Sequence, residues 1–456
     1  MDNLTQICEK LIAYAKENLG LDECDVQYKK NRLLEIYESG LEGAELDDAV
    51  YGELSLLPSE VDKKFAAVLK AEGSAAATEW LYNYCVKNNY VKKAVLDKNP
   101  RFEACGLIVT INKAKPEFRD PKKAVAGNAV SSGFAKCVIC RENEGFGLRN
   151  KRNLRTVSLK LNGHDWFWQF SPYGYFYQHG IAVNCEHTPM HIDRETLDNL
   201  IDFSDKFPHY FVGCNAPLPG IGGSVLAHDH YQGGGEVLPL HKAPIKIAVK
   251  DKKLPYVRVG ILDWPGTVIR VSSDKRNEVV EVSDRIRTAW VGYENKKLGI
   301  IPEDENGVHN AISPTVIKTA GGYEMNIILR SNIASEKYPD GVFHAHPEFH
   351  MIKKESIGLI EAQGLFILPG RLEEELAHVE KCIEEKQPLP AEYSQFKLVY
   401  DETSKLYKSG KFENVHAAMQ EELGSICYRI LENTAVFKDD ADLIKFLQSA
   451  GFDCEK

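Results

Sequence analysis

The sequence predicts an α+β chain with a mainly antiparallel sheet, preceded by a helical N-terminal domain and followed by a helical C-terminal tail. Three observations predict it. Apolar residues in the first hundred positions recur at helical spacing, those after Cys105 fall into short alternating or continuous runs bounded by loops, and the helical period returns beyond Arg371. Leu4, Ile7, Leu11 and Ile12 mark the first helix, and the Ala-rich run from Val61 to Val86 reads as helix too. After Cys105 the stretches GLIVTI, TVSLKL (with Val157, Leu159 and Leu161 alternating) and GIAVN read as strands. The loop CEHTPMH then leads to a helix with Leu197, Leu200, Ile201 and Phe207 inward, a strand HYFVGCN, a Pro/Gly loop, and the segment GGSVLAHDHYQGGG, Gly222 to Gly235. A second β-rich stretch runs from IKIAVK at residue 245 through YEMNIILR to GLFILP and carries FHAHPEFH, with His344, His346 and His350. Its H-x-H pair, set against the pair at 228–230, hints at an internal duplication. Leu372, Leu376, Val379 and Ile383 mark a further helix, and QPLP at 387–390 is a loop. The expected domains are therefore 1–100, 101–244, 245–370 and 371–456.

Composition excludes several functions. The 456 residues suffice for large cores, and 56 Lys and Arg against 66 Asp and Glu give a net charge of −10 with no basic block to track phosphates. Nucleic acid is not an expected partner. No run of about 18 apolar residues suggests a membrane span, and the acidic, amphipathic start MDNLTQICEK does not read as a leader, so a cytoplasmic location is expected. The 11 scattered cysteines suit reduced thiols better than a disulfide framework.

In an extended segment His228, His230 and Gln232 share one face. Imidazole is an effective nucleophile near neutral pH when one ring nitrogen is held by a carbonyl and the other is free, and His230 is the candidate. Gln232 can donate an amide N–H to an oxygen gathering negative charge without exchanging a proton. The flanking GIGGS and GGG let backbone N–H groups approach an anion. Together these features suggest phosphoryl or nucleotidyl chemistry. The competing reading is a pair of satisfied histidines in a hairpin. A metal-hydrolase H-x-H-x-D-H site lacks its ligands, since Gln232 and Gly233 stand where Asp and the third His are needed.

Cys137 and Cys140 in CVIC have the spacing that lets two thiolates bind one tetrahedral metal. A redox pair would need a following helix, and RENEGFG is a poor one. His228 and His187 are the best-placed partners, with His179, His191 and Cys185 as alternatives.

The constellation C-x-x-C, E-H-T-P-M, an Asn followed by G-G-S, and H-D-H-Y-Q resembles the galactose-1-phosphate uridylyltransferases, a branch of the histidine-triad superfamily. PLPGIGGSVLAHDHYQGG, FPHYFVGCN, SPYGYFYQHGIAVN, YPDGVFHAHPEFH, IKKESIGLIEAQGLFILPGRL and SEVDKKFAAVLKAEGSAAATEWLYNY are similar to the bacterial class II form, so the resemblance covers nearly the whole chain. It implies a duplicated histidine-triad-like core and ping-pong transfer of UMP between UDP-glucose or UDP-galactose and hexose 1-phosphates. By the same resemblance His230 is the nucleophile and Gln232 the phosphate stabiliser, while Asn215, Gly223 and Ser224 contact the nucleotide. Lys354 and Glu361 are candidates for the hexose end. Cys137, Cys140, His187 and His228 would hold a structural zinc, and a homodimer with a shared site is implied. The chain departs from the class I enzymes in having Asp229 where they have Pro, and one more residue between Gly222 and His228. His344, His346 and His350 match the class I iron site only loosely and receive no role. Two rivals differ in testable ways. Another nucleotidyltransferase of the superfamily, such as a dinucleoside-polyphosphate phosphorylase, would not depend on uridine, and a non-catalytic zinc-stabilised nucleotide-binding protein would trap no nucleotidyl-histidine.

Overall fold

The computed structural model describes residues 2–113, 134–223 and 225–454. Five helices of more than ten residues come first: α1 (Asp2–Asn18), α2 (Val26–Glu38), α3 (Gly43–Leu54), α4 (Pro58–Glu72) and α5 (Ser74–Lys87). The Ala-rich run expected as one helix is two, because Gly73 takes φ of 90° and so ends α4 before α5 begins. The strands β1 (Arg101–Ala104), β2 (Leu107–Asn112), β3 (Val157–Leu161), β4 (His164–Phe170) and β5 (Gly180–Asn184) follow. Then come α6 (Arg194–Lys206), β6 (Phe211–Gly213) and β7 (His230–Gly234). The strands β8 (Ile245–Asp251), β9 (Arg258–Leu262) and β10 (Val268–Ser273) precede α7 (Arg276–Val291), β11 (Asn310–Thr319) and β12 (Gly322–Ser331). The chain closes with β13 (Leu365–Pro369), α8 (Leu372–Glu384), α9 (Lys397–Lys408), α10 (Val415–Thr434), α11 (Asp440–Ser449) and β14 (Phe452–Cys454).

Three strands, a helix and two strands run from β3 to β7, and the same order recurs from β8 to β12 with a short extra hairpin, Glu303–Asp304 against Gly307–Val308, after its helix. In both, the third strand pairs antiparallel with the last one: β5 with β7, and β10 with β12. The likeness of the two stretches therefore lies in the order and pairing of elements. The H-x-H pairs do not correspond, since the first runs into β7 and FHAHPEFH follows β12.

Two compact units form. One comprises the described residues up to Asp97, 134–189 and Ala227–Glu236. Its hairpin β3–β4 turns on Asn162 and Gly163, with φ of 46° and 89°, the left-handed pair that matches strand twist in a two-residue turn. Trp168, Ala182 and Tyr231 are cross-strand partners and so share one face, where Tyr231 stacks on Trp166 with centroids 4.6 Å apart. Alternation turns Gln169, Ile181 and Gln232 to the other face, together with Val183 and His230.

The second unit comprises the described residues of 98–113, 190–226 and 237–454. Helix α6 starts on Asp193, whose side chain accepts from the Thr196 amide at 2.9 Å, and buries Leu197, Leu200, Ile201 and Phe203 completely. Strands β8, β9, β10, β12, β11 and β6 pair antiparallel in that order. β14 adds to the β8 edge. GLFILP does not continue the second β-rich stretch. Instead β13 pairs in parallel with β2, Leu365 opposite Ile108, and completes a separate three-stranded sheet with β1. Leu107, Val109, Phe366 and Leu368 of that sheet share one buried cluster with Leu372, Leu376, Val399, Met419 and Leu423 of the C-terminal helices. Among the described residues no helix is long and apolar enough to cross a membrane.

Leu200→Ala removes a fully buried side chain from α6 and is expected to cost about 2–5 kcal/mol. Thermal melting checks it: an unchanged midpoint would contradict the packing described.

Candidate active site and metal centre

The chain reaches β7 through a pinned segment. The Asp229 amide donates to the Thr188 carbonyl at 2.8 Å and the Asn184 amide to the Asp229 carbonyl at 3.1 Å, which brings His187 beside His228 with ring centroids 4.4 Å apart. The CVIC turn is clamped from outside. Asn143 Nδ2 donates to the Cys137 and Cys140 carbonyls at 2.8 and 2.9 Å, and Arg149 Nη1 donates to the Cys137 carbonyl at 3.1 Å and to Asn143 Oδ1 at 2.9 Å.

These supports converge on one cluster. Cys137 Sγ lies 3.4 Å from Cys140 Sγ and 3.3 Å from His228 Nδ1, while Cys140 Sγ lies 3.2 Å from His187 Nδ1 and 3.6 Å from His228 Nδ1. The four donor atoms all fall within 4.8 Å of one another. A tetrahedral zinc with its usual bond lengths has ligand–ligand edges of about 3.6–3.8 Å, close to these separations. The ring nitrogens are also presented correctly. His228 Nε2 lies 2.8 Å from the Asn184 carbonyl, which can only accept, so the proton is on Nε2 and Nδ1 offers its lone pair. Burial holds His228 down to about 4, and also lowers His187, so both imidazoles are neutral as ligation requires. Burial pushes the Cys137 thiol up to about 12, a penalty on the thiolate that a central cation would reverse. The donor set fits a tetrahedral divalent metal. Among the described residues it is the one group of His, Cys, Asp or Glu side chains so placed.

The alternatives lie elsewhere. Cys185 and His191 are exposed, and His179 reaches Gln232. His344 and His350 both meet the Ala345 carbonyl, and His346 meets that of Val342 and stacks on Tyr338.

His230 opens β7, 6 % exposed. Its Nδ1 is 2.7 Å from the His228 carbonyl, which fixes the proton there and makes Nε2 the nitrogen that carries the lone pair. Burial lowers its pKa, so the ring is held neutral. Gln232, half-buried on the same face, has Oε1 3.3 Å from His179 Nε2.

In the second unit Asn215 is 2 % exposed, and its Oδ1 accepts from the Leu359 amide at 2.8 Å. Its Nδ2 donor has no partner among the described residues. Gly223 lies against that amide, where a Cβ would come within 3.0 Å of Nδ2, and Ser224 lies outside the described residues. Glu361 is buried and engaged through both oxygens, one accepting from the Gly358 amide at 3.2 Å and the other from Lys353 Nζ at 2.9 Å. Lys354 is exposed, whereas its neighbour Lys353, not singled out by the sequence, is the buried cation bonded to Glu361 and Glu355. Two of the glycines thought to bare backbone N–H groups have a steric task. A Cβ at Gly222 would stand 2.0 Å from the Ala216 carbonyl oxygen, and one at Gly234 would stand 2.5 Å from that of Gln178.

These features define a class: an α+β protein that presents a buried neutral imidazole beside a Cys2His2 cluster and a carboxamide. Family models for galactose-1-phosphate uridyl transferase match it, the N-terminal domain over residues 41–189 and the C-terminal domain over 202–397. The galactose-1-phosphate uridylyltransferase of Bifidobacterium longum subsp. longum is 56 % identical over 413 residues, covering 90 % of this chain and 80 % of that one. That of Caldanaerobacter subterraneus subsp. tengcongensis is 36 % identical over 484 residues, covering 99 % and 89 %. The chain belongs to the galactose-1-phosphate uridylyltransferase family. Among solved structures, yeast Ap4A phosphorylase Apa2 is 12 % identical with a TM-score of 0.36, over 72 % of this chain and 92 % of that one.

The purified chain is expected to hold about one divalent metal ion, and Cys137→Ser or His228→Asn to lower both metal content and melting temperature. Elemental analysis with a melting curve for each variant checks this; unchanged metal in Cys137→Ser would place the ion elsewhere.

Proposed function

We propose that this chain transfers UMP between hexose 1-phosphates, converting UDP-glucose and galactose 1-phosphate into glucose 1-phosphate and UDP-galactose. The observation that carries the reading is the His230 ring, whose Nδ1 proton is held by the His228 carbonyl so that the lone pair a nucleophile needs is on Nε2. Its membership in the uridylyltransferase family supports the substrate assignment.

In the first half-reaction His230 Nε2 attacks the α-phosphorus of UDP-glucose. The bond from that phosphorus to the bridging oxygen breaks, and glucose 1-phosphate leaves with the electron pair. In the second, a phosphate oxygen of galactose 1-phosphate attacks uridylyl-His230, the N–P bond breaks, and UDP-galactose forms. Nδ1 keeps its proton throughout, and positive charge developing on the ring is stabilised by the carbonyl that holds it. Gln232 donates an amide N–H to the phosphate oxygens in both steps. Having no proton to give, it leaves the intermediate to the sugar phosphate rather than to water. Asn215, through its unpartnered amide, and Gly223 and Ser224 are assigned to the nucleotide, and Lys354 and Glu361 to the hexose end. Zinc is the metal proposed for Cys137, Cys140, His187 and His228. When bound it would supply structural cross-linking rather than chemistry, fixing the His228 carbonyl that aims His230. A homodimer in the cytoplasm completes the reading, and sedimentation at catalytic concentrations tests the assembly.

His230→Asn is expected to abolish exchange while the fold persists, since the amide keeps similar size and polarity. Near wild-type exchange in that variant would overturn the assignment. With UDP-glucose alone, mass spectrometry should find a uridylyl adduct on His230 and assays should find negligible UMP; steady UMP release at the exchange rate would make the site a hydrolase. Gln232→Ala should slow both half-reactions by roughly 100-fold, and impairment of only one would remove its proposed role.

A further inference from the structure

His179 stands one residue before β5 and is 4 % exposed, with the Tyr175 ring stacked on it at 4.8 Å and Phe176 tilted against it at 4.5 Å. Its backbone is tied at both ends. The His179 amide donates to the Phe176 carbonyl at 3.1 Å, and its carbonyl accepts from the Ser171 amide at 2.8 Å. Gln178 ahead of it takes φ of 55°, so the chain turns sharply to deliver the ring.

The ring's two nitrogens have a forced polarity. The Tyr175 backbone N–H points at Nδ1 from 3.5 Å, and a backbone N–H can only donate. Nδ1 is therefore the unprotonated nitrogen, and burial, which holds the ring down to about 4, keeps it neutral with its one proton on Nε2. Nε2–H then donates to Gln232 Oε1 at 3.3 Å. A reversed carboxamide would set its N–H2 donors against this N–H. The orientation of the Gln232 amide thus descends from a main-chain N–H through an imidazole.

We infer that His179 is a positioning residue that holds the Gln232 carboxamide with its oxygen inward, so that its N–H donors are offered to phosphate on the face shared with His230. The inference rests on the role assigned to Gln232 above. An unanchored carboxamide would spend time with its oxygen toward the phosphate, and an acceptor there repels the charge that a donor stabilises. The sequence gives no sign of this task. His179 sits more than 50 positions from Gln232, and only the β5–β7 register, with Gly180 opposite Gly233, brings the two together.

The test compares His179→Phe, which keeps an aromatic ring but has no donor, with His179→Gln, whose amide nitrogen can replace Nε2. His179→Phe is expected to lower kcat for UDP-glucose/galactose 1-phosphate exchange by roughly 10- to 100-fold, with KM for galactose 1-phosphate and the metal content little changed. His179→Gln should recover most of the rate. Combining His179→Phe with Gln232→Ala should be no slower than Gln232→Ala alone, because the positioned group is already gone. A fast His179→Phe beside a slow Gln232→Ala, or additive effects in the double variant, would overturn the inference while leaving the role of Gln232 intact. A fast Gln232→Ala would overturn both. Should His179→Phe fail to fold, His179→Asn serves, since its shorter amide cannot reach Oε1; activity equal to that of His179→Gln would refute the positioning role.

Discussion

The site depends on His228, three of whose polar groups have separate tasks. Nδ1 faces the two thiols, Nε2–H is spent on the Asn184 carbonyl, and the backbone carbonyl holds the Nδ1 proton of His230. The metal-type cluster and the proposed nucleophile are therefore not neighbours by accident of packing. They are the side-chain and main-chain ends of one residue. A shift of the His228 ring would move its own carbonyl, and with it the tautomer and aim of the imidazole two residues on. Asn143 and Arg149 clamp the turn that carries the two thiols facing that ring.

Strand alternation divides the labour between faces. Tyr231 goes to the aromatic side, against Trp166, and so anchors β7, while its neighbours His230 and Gln232 are left for chemistry. The imidazoles of His230 and His179 are buried yet uncharged, the state a low-dielectric environment tolerates best. Charge then arrives only with substrate, and fixed dipoles already oriented to meet it need no reorganisation.

Short-range features were legible in the sequence, and long-range ones were not. The H-D-H-Y-Q spacing led to His228, His230 and Gln232, and C-x-x-C with E-H-T-P-M led to Cys137, Cys140 and His187, which the structure gathers with His228 in one cluster. The helical period located α1, α6 and α8, but it could not reveal the break at Gly73, where one residue's backbone angle overrides a good helical pattern. Apolar character showed that GLFILP is a buried strand without telling which strand it joins. The same blindness applies to polar partners. Lys353 and Lys354 are indistinguishable as letters, and only the fold determines that the first is buried on Glu361 and the second faces water. Glycines around the histidine pair suggested an anion cradle, yet those at 222 and 234 are demanded by carbonyl oxygens from Ala216 and Gln178 that no local pattern announces.

The parallel pairing of β2 with β13 bears on how the chain is made. β2 ends at Asn112 and its partner begins at Leu365, so a ribosome adding roughly 5–20 residues per second takes on the order of tens of seconds to supply the missing strand. Through that interval the nascent hairpin β1–β2 carries a fully buried-type run, LIVTIN, with an unpaired edge and no helices to cover it. Until that strand emerges the β2 edge is open to pairing with another chain, an exposure that the mature fold does not reveal.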